Sequence, residues 1–109
     1  MAVLAADRSA GEHAKIDWLL RQIRESKATF IRNGSEYESG AAATYIAKKL
    51  AVKGADVVTA RDFIARIATR SETTRKPYEI RPPGAAATPL GPWLTQRLDR
   101  YEKERKAPG

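Results

Sequence analysis

The chain has 109 residues, 42% hydrophobic and 30% charged, with no cysteine and a net charge of +7. That length and balance suit one globular domain with one modest core. The missing cysteines exclude disulfides, thiolate metal sites and cysteine nucleophiles, and no apolar run approaches the roughly 18 residues that a membrane-spanning helix needs.

Residues 1–9 read as a disordered N-terminal remnant, in which Leu4-Ala5-Ala6 fits either the end of a signal peptide or an ordinary frayed start. Ser9 with Glu12 three positions on reads as a capping box. Ile16, Leu19, Leu20 and Ile23 then recur at helical spacing, so a first helix runs to about Ser26, with Trp18 off its stripe. Thr29 to Arg32 is β-branched and aromatic and ends in Asn33-Gly34, which reads as a short strand entering a turn. A second helix begins near Ser39, presents Ala42, Tyr45, Ile46, Lys49 and Leu50, and stops at Gly54. Thr59 opens a third helix, with Asp62 in its first turn and Phe63, Ile64, Ile67 and Ala68 as its stripe.

Residues 69–76 form a polar loop. Pro77 to Arg81 alternates as a second strand, with Tyr78 and Ile80 on one side, and Pro82-Pro83-Gly84 ends it. Ala85 to Gly91 reads as a linker, and Pro92 takes the first position of a last helix whose inner face is Trp93, Leu94, Leu98 and Tyr101. The expected fold is α+β and mostly helical: about four helices with a short two-stranded antiparallel β element. Residues 10–101 form the single domain and 102–109 a charged, frayed tail. Leu20, Ile23, Ile46, Leu50, Phe63, Ile67, Trp93 and Leu98 are the expected core.

Few residues offer catalysis. His13 is the one histidine, and no Gly-x-Ser-x-Gly elbow presents a serine to it. Glu36 and Glu38 have the spacing of an acid–base pair, but acidic groups before a helix are favoured by its dipole. There is no metal-ligand cluster and no Gly-rich phosphate loop, so neither metal nor cofactor is expected. The basic charge is spread along the chain: residues 1–54 carry 9 basic and 6 acidic side chains, and residues 55–109 carry 11 and 7. Arg66, Arg70, Arg75, Lys76 and Arg81 cluster around Tyr78 as a candidate anion-binding stretch or a solvated face.

Phe30-Ile31-Arg32-Asn33-Gly34, then Ala42, Lys49-Leu50, Thr59-Ala60, Phe63-Ile64, Ala68, Ser71 and Lys76-Pro77-Tyr78 follow in an order that resembles the YfeK-like family of small bacterial proteins, a domain of unknown function (DUF5329). The resemblance runs from about Ile16 to Ile80, with a weaker echo at Trp93-Leu94. It implies a periplasmic protein made with a signal peptide, with no known enzyme activity and no cofactor. The family pattern often has an acidic residue where this chain has Ala41, a histidine at Tyr45 and a glycine at Arg75.

Arg32, Asn33, Lys49, Ser71, Lys76 and Tyr78 are the polar positions that match the pattern, and they form the candidate ligand or partner site. Strand alternation puts Arg32 and Tyr78 on the side of Phe30 and Ile80, opposite one another if the strands pair antiparallel, with Lys49 approaching the same rim. The expected function is a periplasmic binding, adaptor or inhibitor module, with the cytoplasm as the alternative location, monomeric and not an enzyme, whose partner is a protein or an acidic envelope component. A nucleic-acid-binding domain is the alternative on charge alone, without a recognition motif, and a hydrolase ranks last.

Overall fold

Asn33 and Gly34 both take positive φ, at 53° and 81°, the conformation of a tight two-residue hairpin turn. They fold strand β1 (Thr29–Arg32) back as β2 (Ser35–Glu38), in the register Phe30↔Tyr37 and Arg32↔Ser35. Those two strands lie between α1 (Ala10–Glu25) and α2 (Ser39–Lys53). There follow α3 (Ala60–Arg66), β3 (Glu79–Arg81), β4 (Thr88–Pro89) and α4 (Leu90–Lys106). The computed structural model describes residues 8–106.

The fold is α+β with four helices, as expected, but its sheet has four antiparallel strands in the order β2-β1-β3-β4 rather than two. The two extra strands are the edges. All four residues of β2 are exposed, so it shows no buried apolar alternation. The linker expected over Ala85 to Gly91 contains β4, just two residues long, whose Pro89 is tolerated because it lies at an edge. Helix α4 also starts at Leu90, two residues before Pro92; proline in a first helical turn removes no internal hydrogen bond.

The sheet's inner face supplies Phe30 and Ile80, which meet α2 and α4. Ala42 and Ala43 are fully buried and let α2 pack closely on α1. Of the expected core, Ile23, Ile46, Phe63, Ile67 and Leu98 are buried, while Leu20, Leu50 and Trp93 are only partly so. Trp18 makes its second contact with Tyr101 of α4, ring centroids 4.6 Å apart. Gly54 ends α2 without a left-handed turn (φ −93°); a Cβ there would lie 2.3 Å from the Leu50 carbonyl oxygen.

One ion network ties α1, α3 and α4 together. Ser9 caps α1 as expected, its Oγ accepting from the Glu12 amide, but the Glu12 carboxylate does not close a capping box. It reaches across to accept from the Ala60 amide at the start of α3, at 2.7 Å. The reciprocal capping box occurs instead at α3, between Thr59 and Asp62. Lys15 joins Glu12 to Glu102, and Arg61 joins Glu102 to Asp99. Glu102 is therefore part of a continuous helix to Lys106 and not of a frayed tail. At the other terminus Arg8 is held by the Val57 and Gly54 carbonyls, so this residue of the expected remnant is docked; residues 1–7 lie outside the described residues.

The Ala60 amide, and then Lys15, hold the Glu12 carboxyl below its usual 4.5. Lys15 and Arg61 do the same for Glu102. Lowered carboxyl pKa values contribute stability that is present above about pH 4.5 and is lost as pH falls through the folded-state values. Glu12→Ala should cost about 1–2 kcal/mol at neutral pH, as for loss of a charged cap, and should flatten the acid limb of a urea-derived stability profile.

Candidate functional site

The register Phe30↔Ile80, continued by two residues, sets Arg32 opposite Tyr78 on the inner face. Tyr78 is fully buried and its backbone is fixed on both sides: its amide donates to the Thr69 carbonyl and its carbonyl accepts from the Leu90 amide, each at 2.9 Å. Its ring packs on Phe30 at 5.3 Å and meets the Tyr45 ring edge-on at 6.4 Å.

Lys49 comes in from α2, on the stripe that also carries Ala42 and Ile46, and is 7% exposed. Its ammonium has three donors. They meet the Arg70 carbonyl at 2.9 Å, the Tyr78 hydroxyl at 3.1 Å and the Glu72 carboxylate at 3.6 Å. Burial lowers the Lys49 pKa, and the Glu72 carboxylate works against that shift. Burial likewise raises the Tyr78 phenol above its ordinary value of 10.0. Lys49 is thus an internal strut between α2, the 69–76 loop and the entry to β3, not an exposed cation.

Asn33 and Ser71 belong to a neighbouring latch. Ser71 is buried, and its Oγ accepts from the Thr73 and Thr74 amides and from Asn33 Nδ2 at 3.3 Å. The Asn33 Oδ1 accepts from the Thr74 hydroxyl. The hairpin turn is in this way tied to the loop before β3. Lys76 joins only by its backbone: its carbonyl accepts from the Ser71 amide and its amide donates to Thr74 Oγ1. Its exposed side chain makes no hydrogen bond or ion pair among the described residues.

Arg32 stands apart from this structural set. Its guanidinium lies over the Tyr45 ring, 4.9 Å from the centroid. Burial opposes its charge, but the Tyr37 and Tyr45 hydroxyls outweigh that and raise its pKa. The Nε atom is buried with no hydrogen-bond partner among the described residues. Beside it is a cavity of about 240 Å³ lined by Phe30, Arg32, Tyr37, Ala41, Ala42 and Tyr45. No carboxylate lines it.

Of the six wall residues only Arg32 was among the site candidates read from sequence; Phe30, Tyr37, Ala41, Ala42 and Tyr45 were not. The signal for Tyr37 was present: a two-residue Asn-Gly turn pairs it with Phe30 across the hairpin. Ala41 and Tyr45 are two of the three departures from the family pattern, and both line this cavity. The third, Arg75, has φ 62°, a left-handed conformation that accounts for glycine at that position.

The remaining chemical candidates are dispersed. His13 is exposed on α1. Glu36 does not precede a helix but sits in β2, giving both oxygens to Arg81 at 3.2 Å, while Glu38 occupies the N-cap position of α2 without capping it. Among the described residues, no group of three or more His, Cys, Asp or Glu gathers to hold a metal, and no helix is long and apolar enough to cross a membrane.

Fold and site define a small α+β domain, an antiparallel sheet backed by helices, with a cationic aromatic cavity between its first hairpin and second helix. A family model described as "Family of unknown function (DUF5329)" matches residues 10–102. The chain belongs to that family. It is 34% identical over 74 residues to "Uncharacterized protein YfeK" of Salmonella typhimurium, an alignment covering 67% of this chain and 62% of that protein's length. No solved structure is a significant match.

A raised phenol pKa adds stability that is present below the unfolded value of 10.0 and is lost as pH rises through the folded value. The lowered Lys49 pKa acts with the opposite slope below its unfolded value of 10.5, so the two effects meet near pH 10 and a stability profile mixes them there. Tyrosinate absorbance separates them. One of the 4 tyrosines should ionise only when the chain unfolds in alkali, and Tyr78→Phe should remove that late step and leave the others.

Proposed function

We propose that this protein is a binding module, not an enzyme, that accepts an anionic group with an apolar body in the cavity beside Arg32. The observation that carries the reading is the buried, unpartnered Nε of Arg32, a residue that lines an aromatic-walled cavity with no carboxylate among its wall residues. An unmet buried donor costs about 1–3 kcal/mol, which a bound anion would recover. The exposed His13 and the Glu36–Arg81 pair support a non-catalytic reading, since neither is arranged with a second catalytic group.

The cavity's size argues for a side chain or chain end of another protein. At about 240 Å³ it falls below the ~300–1,000 Å³ usual for whole small-molecule ligands. Tyr37 and Tyr45 stand at it, each 37% exposed, and half-exposed tyrosines are favoured anchors at protein interfaces. The partner is thus an acidic or carboxylate-ended segment of an envelope protein. Periplasmic location rests on the YfeK-like resemblance, and the adaptor or inhibitor role follows from that location. The nucleic-acid alternative rests on net charge alone.

Phenylacetate is a minimal probe, with benzyl alcohol as its neutral counterpart. In an NMR titration, phenylacetate should shift resonances of Phe30, Tyr37, Ala41 and Tyr45, and benzyl alcohol should bind at least roughly tenfold more weakly, the worth of a charged hydrogen bond. Arg32→Gln should abolish the difference. Equal binding of the two probes, or unchanged phenylacetate binding by Arg32→Gln, would contradict the proposal.

A further inference from the structure

A second feature shares no lining residue with the Arg32 cavity. Helix α3 ends at Arg66, and the chain then turns through the loop that carries Ser71 and Arg75. Arg66, Arg70 and Arg75 line one depression of about 200 Å³, with buried Ser71 among its lining residues. One carboxylate, Glu72, also lines the depression; it is half-exposed and its charge is partly answered by Lys49 at 3.6 Å, leaving three guanidinium groups against one acid. Arg66 has only a marginal pairing with Asp56, at 4.0 Å, between two well-exposed side chains. Arg70 and Arg75 make no ion pair among the described residues.

The backbone favours this reading over that of a solvated face. Arg75 holds φ 62°, a conformation that costs a residue with a Cβ roughly 1–2 kcal/mol relative to glycine. The loop is closed around it by the Arg75 amide donating to the Ser71 carbonyl and the Ser71 amide donating to the Lys76 carbonyl, each at 3.0 Å. A stable loop here would use glycine. Instead a guanidinium is carried at the strained position, in the same depression as two others. Strain that persists where it could be relieved by one substitution is a pointer to use.

We infer that the Arg66–Arg70–Arg75 depression is an anion site for a phosphate-bearing ligand. Three guanidinium groups offer forked donors that match phosphate oxygens two at a time, and a depression of about 200 Å³ has room for a phosphate or diphosphate group. The phosphate can come from a free molecule or from a lipid headgroup.

The probes are inorganic pyrophosphate, followed by calorimetry at low salt, and vesicles containing phosphatidic acid, followed by co-sedimentation; mixed-sequence duplex DNA is the third arm. The wild-type chain should bind pyrophosphate, phosphatidic acid vesicles or both, and whichever binds names the source. Arg70→Ala and Arg75→Gly should each weaken that binding by roughly tenfold or more, while Arg75→Gly leaves the melting temperature equal to or above that of the wild type. Opposite effects on binding and stability in one variant cannot arise from misfolding. The inference is overturned if neither phosphate source binds, if either variant retains wild-type affinity, if Arg75→Gly lowers the melting temperature, or if DNA alone is bound.

Discussion

A lysine ammonium under a sheet has to be satisfied or it unfolds the protein around it, and Lys49 sets that requirement here. Removing an ammonium from water costs several kcal/mol even after relaxation. The cost is met by three acceptors from one stretch of chain, Arg70 to Tyr78: the Arg70 carbonyl, the Tyr78 hydroxyl and, at 3.6 Å, the Glu72 carboxylate. Together they position the loop and the strand that follows it. The loop after α3 must pass over α2, and Tyr78 must point inward, which fixes the side of β3 that faces the core and hence the pairing of β3 with β1.

Once Tyr78 is placed, the Arg32 cavity follows. Tyr78 packs on Phe30 and meets Tyr45, so the inner face of the first hairpin is filled as far as Phe30 and left open beyond it. Arg32 lies at that opening because side chains alternate along β1. The Asn33–Ser71–Thr74 latch keeps the hairpin turn against the loop that Lys49 anchors. The polar groups around Lys49 and Ser71 are answered within the fold, whereas Arg32, held over Tyr45, keeps one unanswered donor, its Nε.

Much of this was legible from short-range signals. Ser9 and Thr59 mark helix starts because their hydroxyls accept from backbone amides, and Asn33-Gly34 marks a turn because both tolerate positive φ. Alternation along two strands correctly put Arg32 and Tyr78 on one face. What local pattern did not reveal was decided at long range. Ser35 to Glu38 carries one aromatic among polar residues and becomes a strand only because β1 lies alongside it. Glu12 has two possible acceptor roles, and its choice of Ala60 depends on α3 docking 48 residues away. Glu102 reads as solvated tail until Lys15 and Arg61 come within reach. Lys49 falls on the stripe of Ala42 and Ile46 in the sequence, but its acceptors, which make it a strut and not a ligand contact, come from the loop and strand entry beyond α3.

The dependence of the fold on the Lys49–Tyr78 contact is best measured by a double-mutant cycle in urea with Lys49→Met, Tyr78→Phe and the pair. Tyr78→Phe leaves the Lys49 ammonium one acceptor short, Lys49→Met takes this donor from the Tyr78 hydroxyl, and the double change removes both groups together. The account predicts that the double variant is less destabilised than the sum of the singles by about 1 kcal/mol or more. Additivity within about 0.3–0.5 kcal/mol would show that the two side chains are independent, and would contradict the claim that their hydrogen bond organises the sheet.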